Sequence, residues 1–442
     1  MNLAYLDAVR SSSLVRKLGY VEQLTGLAIE ARGPDVAIGE ICRIHPRRSD
    51  DRRMRPDGIL AEVVGIRPGV VTLMPYGSAQ GLAAGCEVVA EGVRSEIGVG
   101  DALLGRVIDC FGQPLDDGAV PRTQHNWPLK AAPVNPMQRP RIANILETGI
   151  RSIDTLLTIG QGQRVGIFAG SGVGKSTLLG MIARHVKADV NVIALIGERG
   201  REVKEFIDKQ LGVEGLQRSV VVVATADQPA LARVRATYAA IAVAEYFREQ
   251  GKQVLLTMDS VTRFAMARRE IGLSAGEPPT ARGYTPSVFA ELPEICERCG
   301  TAPSGGSITA LLTVLVEGDD LNEPISDSLR AILDGHLVLS RQQAHRGQYP
   351  ALDVLKSASR LMPDLCSSAQ KTLAIETIKT LATLERSRQM IDIGAYEAGA
   401  NVELDQALAK QEALLAFLRQ QDGGAVREDA LRSLRNIIGV PA

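Results

Sequence analysis

Residues 169–177 read AGSGVGKST, with glycine at positions 170, 172 and 174 and a lysine followed by two hydroxyl residues. A loop that wraps a phosphate chain needs its backbone N–H groups turned inward, where side chains would obstruct them. Gly170, Ser171, Gly172, Val173 and Gly174 can supply that backbone. Lys175 can reach the terminal phosphates and the Ser176 hydroxyl can ligate magnesium, while Thr177 continues a helix whose N-terminus adds partial positive charge. The pattern opens on Ala169 instead of glycine, a mild departure. The implied chemistry is a magnesium–nucleotide site. The bland alternative, a glycine-rich turn without a ligand, is disfavoured by the apolar strand signal before the loop and the amphipathic helix signal after it.

Two carboxylates end strand-like runs elsewhere in the chain. VLLTMD carries four apolar residues and a threonine into Asp259, where a carboxylate can hold the water network of a phosphate-bound metal. Glu198 follows Val190–Gly197, a position from which it can polarise the water that attacks a terminal phosphate. Spacing alone equally allows a surface glutamate paired with Arg199 or Arg201. Arg360 lies beyond the last strand of the pattern. A guanidinium there can stabilise charge on a transferring phosphoryl group, often from a neighbouring subunit, although the residues alone favour an ordinary salt-bridging arginine. Tyr349 precedes Pro350, which keeps it out of a helix; its ring can stack on an adenine or simply pack.

These residues need a scaffold. From Gln163 to about Ser340, apolar runs alternate with helical segments: strands at Val190–Ile196, Val220–Ala224, Val254–Met258 and Ile308–Val316, helices at Val203–Leu211, Leu231–Gln250 and Val261–Ile271. That alternation predicts a parallel sheet covered on both faces, with ligands at the carboxyl ends of its strands. Between Gly19 and Val89, short β-prone runs (Leu27–Ile29, Ile41–Ile44, Ile59–Ile66, Val70–Met74) separated by turns predict a small barrel or sandwich. Arg47–Gly58 reads as a solvated loop inside it. The Gly- and Pro-rich stretch from Glu91 to Arg141 reads as a connection between domains, with Trp127 as a packing anchor. Leu273–Leu292 reads as a long insert. After Met362-Pro363 only helical stripes remain: Ala374, Ile378, Leu381, Leu384, and then Leu404, Leu408, Leu415, Leu418. The expected division is 1–89, 90–362 and 363–442. Met1–Lys17, with apolar residues at near-helical spacing, is either a frayed terminus or a helical arm that docks a partner.

A length of 442 residues suggests two or three domains. Fifty basic against 51 acidic residues, and only 4% aromatics, argue against a nucleic-acid partner. The six cysteines are scattered; the single pair Cys296-x-x-Cys299 has no second pair and reads as free thiols of a reducing cytosol. No apolar run approaches the roughly 20 residues of a membrane span, and no signal peptide is visible.

Taken together, these stretches resemble the ATPases of bacterial type III protein export, most closely the flagellum-specific form, paralogous to the catalytic subunit of rotary ATP synthases. The resemblance covers essentially the whole chain, through RVGIFAGSGVGKSTLLGMIAR, LIGERGREVKEF, GEPPTARGYTPSVFAELPEICERCG and YPALDV, among others. It implies an α/β fold: a RecA-like core preceded by a β-barrel and followed by a helical domain. It further implies Lys175 and Ser176 as phosphate and magnesium ligands, Glu198 as the water-activating carboxylate and Asp259 as the metal-network carboxylate. Arg199 would line the phosphates, Tyr349 would sit by the adenine, and Arg360 would be a finger inserted from the adjacent subunit. The family works as a cytoplasmic ring of six docked under the membrane's export gate. There it couples ATP hydrolysis with Mg2+ to chaperone release and cargo unfolding. Implied partners are a regulator dimer on the N-terminal arm, a central stalk protein and cargo–chaperone complexes. The virulence-type secretion ATPase is the alternative within the family. A rotary synthase subunit is disfavoured, because near the place of its acidic lever motif only Glu403 and Asp405 occur. Since Glu198 and Arg360 occur in one chain, identical copies can complete each other's sites head to tail, and such an interface closes into a ring.

Overall fold

Short strands with alternate residues buried build the first unit. The computed structural model describes residues 16–46, 58–92, 95–316, 318, 320–421 and 423–440. Its first six strands are β1 (Leu18–Thr25), β2 (Ala28–Arg32), β3 (Ile41–His45), β4 (Ile59–Arg67), β5 (Val70–Pro75) and β6 (Glu87–Gly92). They close in the order β1-β2-β5-β4-β3-β6, with β1 pairing both β2 and β6. The expectation of a barrel or a sandwich therefore resolves to a barrel. Inward residues such as Val21, Ile29, Ala31, Ile44, Val63, Leu73 and Val88 fill it. Closure leaves no unpaired strand edge, and register shifts in β1, β3 and β4 supply the bends that closure requires. Strand β1 carried no sequence signal because only Gly19 and Val21 of its eight residues are buried. The N-terminal arm, apart from its last two residues, and the loop 47–57 lie outside the described residues.

The central sheet is built from β7 (Arg106–Ile108), β8 (Arg164–Ala169), β9 (Val190–Ile196), β10 (Ser219–Ala224), β11 (Gln253–Asp259), β12 (Ser307–Leu315), β13 (Gly335–Leu339) and β14 (Ala358–Ser359). Their order across the sheet is β14-β13-β8-β12-β11-β9-β10-β7. All neighbours are parallel except β14, which runs antiparallel to β13. The strands read as unbroken apolar runs because both faces are covered. Val192, Ala194 and Ile196 feed one core; Ile193 and Leu195 feed the other. On the first face lies α2 (Ala230–Glu249), whose alanines let it sit close to the strands. On the second lies α1 (Lys175–His185).

Three sequence expectations are corrected here. The stretch 91–141 is more than a connection: Arg106–Ile108 forms the outer edge of the sheet, and Val99, Leu103 and Ile108 join its core. The insert expected over Leu273–Leu292 is narrower, because α3 runs over Val261–Ser274 and α4 over Pro286–Arg298, leaving only 275–285 between them. Pro286 at the start of α4 suits a first helical turn, where its missing N–H costs nothing. The helix expected at Val203–Leu211 begins earlier, at Gly200, and widens into a π turn over Phe206–Leu211.

Trp127 does anchor its segment. Its indole N–H donates to Glu245 Oε2 at 3.2 Å, and its ring meets Tyr246 edge-on at 6.0 Å. Glu245 also takes both ends of the Arg298 guanidinium, at 2.8 and 2.6 Å, in a fully buried pair. The barrel docks through Met74, which packs on Ala230, Leu231, Ala267 and Ile271.

The C-terminal unit is three helices: α5 (Ser368–Asp392), α6 (Val402–Leu418) and α7 (Arg427–Ile438). The third has no strong apolar run; Ala430, Leu434 and Ile438, four residues apart, make a narrow buried stripe. Ile378, expected on the buried face of α5, is instead among the exposed apolar residues. Among the described residues no helix is long and apolar enough to cross a membrane.

Candidate nucleotide site

Strand β8 ends at Ala169 in the middle of the sheet, paired to Leu315 and Leu339, so its small methyl is accommodated where the pattern has glycine. The chain then turns through Gly172 and Gly174, at φ 78° and 87°. A Cβ there would be strained, and at Gly174 it would also sit 3.4 Å from the ring of Tyr349. Gly174 caps α1, which buries Leu178, Leu179, Met181 and Ile182 and leaves Ser176 and Thr177 exposed at its open end. The backbone and the two hydroxyls are thereby presented to solvent at the carboxyl edge of the sheet.

Lys175 reaches from this helix across β12 to the end of β11. Its ammonium donates to Asp259 Oδ1 at 2.5 Å and lies 3.5 Å from Glu198 Oε1. Asp259 Oδ1 also accepts from the Thr313 hydroxyl at 2.8 Å. Glu198 follows Gly197 at the end of β9, which neighbours β11. Burial pushes the Glu198 carboxyl up to about 7; the Asp259 charge adds to the rise and Lys175 opposes it. For Lys175, burial works against the charge, but Asp259 and then Glu198 outweigh it, and the net direction is up. Two carboxylates thus share one lysine in a confined space.

Two residues were not singled out by the sequence reading. Thr313 carries no local signal, since one threonine in an apolar strand is commonplace. Arg263, in the first turn of α3, packs against Gly197, where a Cβ would lie 2.8 Å from its own. Its Nε is buried with no hydrogen-bond partner. Arg263 thus borders the Gly197 turn that leads into Glu198, with its buried Nε unpaired.

Not every expected residue converges here. Arg199 stands at the start of the helix Gly200–Glu205 with its side chain 80% exposed, 3.6 Å from Glu202, and does not turn into the site. Tyr349 is part-exposed in a loop, with its ring against Gly174. Its carbonyl accepts from the backbone N–H of Gln420 at 2.8 Å. The buried Gln420 side chain also donates to Gly149 and accepts from the Arg151 N–H. Arg360 is remote: its N–H bonds the Asp334 carbonyl, and Asp334 bonds back to Arg164, the first residue of β8. That is the opposite end of β8 from the phosphate loop, roughly 20 Å away at strand rise. Cys296 and Cys299 are buried free thiols, both pushed upward by burial.

The donor set suits a magnesium nucleotide better than a resident metal. Among the described residues no group of three or more His, Cys, Asp or Glu side chains can hold a metal ion. Magnesium, which keeps several waters and takes its oxygens largely from substrate phosphates, would find the Ser176 hydroxyl exposed at the open end of α1 and the Asp259 carboxylate beside Lys175. The orphaned Arg263 nitrogen and the glycine cradle fit the anion.

Three family profiles match the chain. That of the ATP synthase alpha/beta family, beta-barrel domain, covers residues 21–92; its nucleotide-binding domain covers 149–359; and the T3SS EscN ATPase C-terminal domain covers 366–436. The chain is 50% identical to the flagellum-specific ATP synthase of Bacillus subtilis (strain 168) over 435 residues, 98% of each chain. Among solved structures, the assembled ATPase EscN from the enteropathogenic E. coli type III secretion system superposes with a TM-score of 0.89 at 44% identity. That match covers 95% of this chain and 100% of EscN. EscN in complex with its central stalk EscO superposes with a TM-score of 0.86 at 43% identity, over the same shares of the two chains.

Proposed function

The chain belongs to the family of flagellum-specific and type III secretion ATPases, within the ATP synthase alpha/beta fold, and on that premise we propose how its residues hydrolyse ATP and to what end. The observation that carries the reading is the convergence of Lys175, Glu198 and Asp259 at the mouth of the phosphate loop. Residues 170–174 cradle the phosphate chain with backbone N–H groups, and Lys175 turns from Asp259 to the terminal phosphates. Magnesium, when bound, neutralises charge on the phosphate oxygens; Ser176 would ligate it and Asp259 would hold its water shell. Glu198, ionised, accepts a hydrogen bond from the attacking water and aligns it for in-line displacement. Arg263 and Arg199 complete the phosphate shell, the latter by turning inward. Tyr349 stacks on the adenine.

Arg360 cannot serve the loop of its own chain, given its place at the far end of β8. In this reading it serves the loop of a neighbouring copy. Head-to-tail pairing of identical copies closes into a ring, here a homohexamer. EscN has been solved as an assembled ATPase and also in complex with its central stalk EscO, and the same arrangement is proposed for this chain. The remaining elements are proposals of the same kind: flagellar protein export, with chaperone release and cargo unfolding at the export gate; a regulator dimer on the N-terminal arm; and cytoplasmic residence at the inner membrane. The identity to the Bacillus flagellar relative exceeds that to EscN, which favours the flagellar system over the virulence one.

The test is ATP turnover against protein concentration for wild type, Glu198→Gln, Arg360→Ala and an equal mixture of the two. Turnover per site should rise with concentration. Each variant should be nearly inactive, and the mixture should recover activity, since an intact loop then meets an intact finger at about one interface in four of a randomly mixed ring. A mixture no more active than its parents would refute shared sites.

A further inference from the structure

The edge that carries Arg360 holds a second cation without a counterion. Arg330 lies in the last turn of the helix Pro324–Ile332. Its carbonyl accepts a hydrogen bond from Arg360 Nη2 at 3.0 Å, so the two residues are physically joined. His336, at the start of β13, lies by both: its pKa is drawn down by burial, then by Arg330, and further by Arg360. The carboxylate best placed to neutralise this edge is Asp334, and it is spent. Its two oxygens grip the Arg164 guanidinium at 2.9 and 3.1 Å, and one also accepts from the Arg164 backbone N–H. Among the described residues, no acid pairs with Arg330 or Arg360.

Arg330 is partly covered and Arg360 lies on the surface, and the two cations stand together without an acid between them. The helix C-terminus favours a positive charge at Arg330, but that accounts for its position on the helix and not for the missing acid beside it. Two guanidinium groups and a neutral histidine on one surface, with the local carboxylate withdrawn, form a receptor for an anion with several oxygens. Arginine's planar fork matches phosphate.

We propose that Arg330 is a second residue supplied in trans: together with Arg360 it contacts the terminal phosphate of the nucleotide held by the adjacent copy's loop. This rests on the reading that Arg360 acts across the interface. The pair would divide the work: Arg360, the more exposed, reaches the transferring phosphoryl group, and Arg330 holds a non-bridging oxygen beside it. The alternative occupant of the edge is a carboxylate of the neighbouring copy, which would make Arg330 an assembly contact only.

The experiment uses the full chain with ATP. Arg330→Gln should lower kcat about 10²-fold with its sedimentation-measured assembly unchanged, and Arg330→Lys, which keeps the charge, should recover part of that loss. Both variants should unfold at the wild-type temperature. Mixing Arg330→Gln with Lys175→Ala, whose loop is dead but whose edge is intact, should restore turnover above either parent. Wild-type kcat in Arg330→Gln, or no recovery on mixing, overturns the proposal. So does loss of assembly without nucleotide, which would assign the edge to a carboxylate. Recovery in the Glu198→Gln and Arg360→Ala mixture alongside failure in this one would fail Arg330 alone. Failure in both mixtures would fail the trans reading itself.

Discussion

Lys175 and Asp259 lie 84 residues apart in the chain, yet the ammonium donates to the carboxylate at 2.5 Å across an intervening strand. That bond holds the lysine extended toward the carboxyl end of β11. Asp259 in turn is fixed by Thr313. Replacing Asp259 with alanine should free the lysine and lower kcat by about 10²–10³-fold. Nucleotide affinity should change much less. Phosphate release, read against titration with a fluorescent nucleotide, separates the two effects.

Glu198 gives a pH prediction. With its carboxyl pushed up to about 7, the ionised form that accepts from water disappears as the solution becomes more acid. The profile of kcat/KM, which reports the free enzyme, should be flat above about 7 and fall about tenfold per pH unit below it. Linkage gives the companion effect. The folded chain holds this proton more tightly than the unfolded chain, so this group's contribution to stability declines as pH rises from the ordinary carboxylate range to about 7. Glu198→Gln should therefore unfold at a higher temperature than wild type at pH 8, while turning over no ATP.

Gly197 has φ 72°, and a Cβ on it would collide with Arg263. Gly197→Ala should displace both Arg263 and the following Glu198. A loss of about 1–2 kcal/mol in stability is expected from the backbone strain, with a disproportionate fall in turnover of 10²-fold or more. Denaturation and steady-state kinetics on the same preparation test it.

The buried Glu245–Arg298 pair supplies a stability test with a built-in reporter. Glu245→Ala leaves Arg298 buried and uncompensated, a cost of about 3–5 kcal/mol. It also removes the acceptor of Trp127, the protein's only tryptophan. Emission should shift as the denaturation midpoint falls. Glu245→Leu combined with Arg298→Met, which removes both charges, should recover much of the loss.

How much of this was legible in the sequence follows from where each signal resides. The sheet strands announced themselves because burial on both faces makes them apolar without interruption, and β9 and β11 run straight to the carboxylates that meet at Lys175. Strand β1 and helix α7 were silent because each buries only a few scattered positions. The link between α3 and α4 looked long because Pro286 and Pro293 read as breakers, whereas one starts a helix and the other is tolerated within it. Arg263 escaped notice because a lone arginine on a helix has no pattern. Only packing against Gly197 reveals that its nitrogen is buried and unpaired. Arg330 is the same case at the other end of the sheet.

Gln420 carries the last consequence. Its backbone grips the loop of Tyr349, while its side chain is clamped between Gly149 and Arg151 just after α6. A torque applied to the C-terminal helices has other routes to the core, Gln370 against Thr155 and Thr158 among them, but the one through Gln420 leads to the loop whose ring lies beside Gly174. With Tyr349 on the adenine, as proposed, load entering by that route would be felt at the base end of the nucleotide. A distortion arriving by this route would act first on how tightly the nucleotide is held, away from the carboxylates that meet at Lys175.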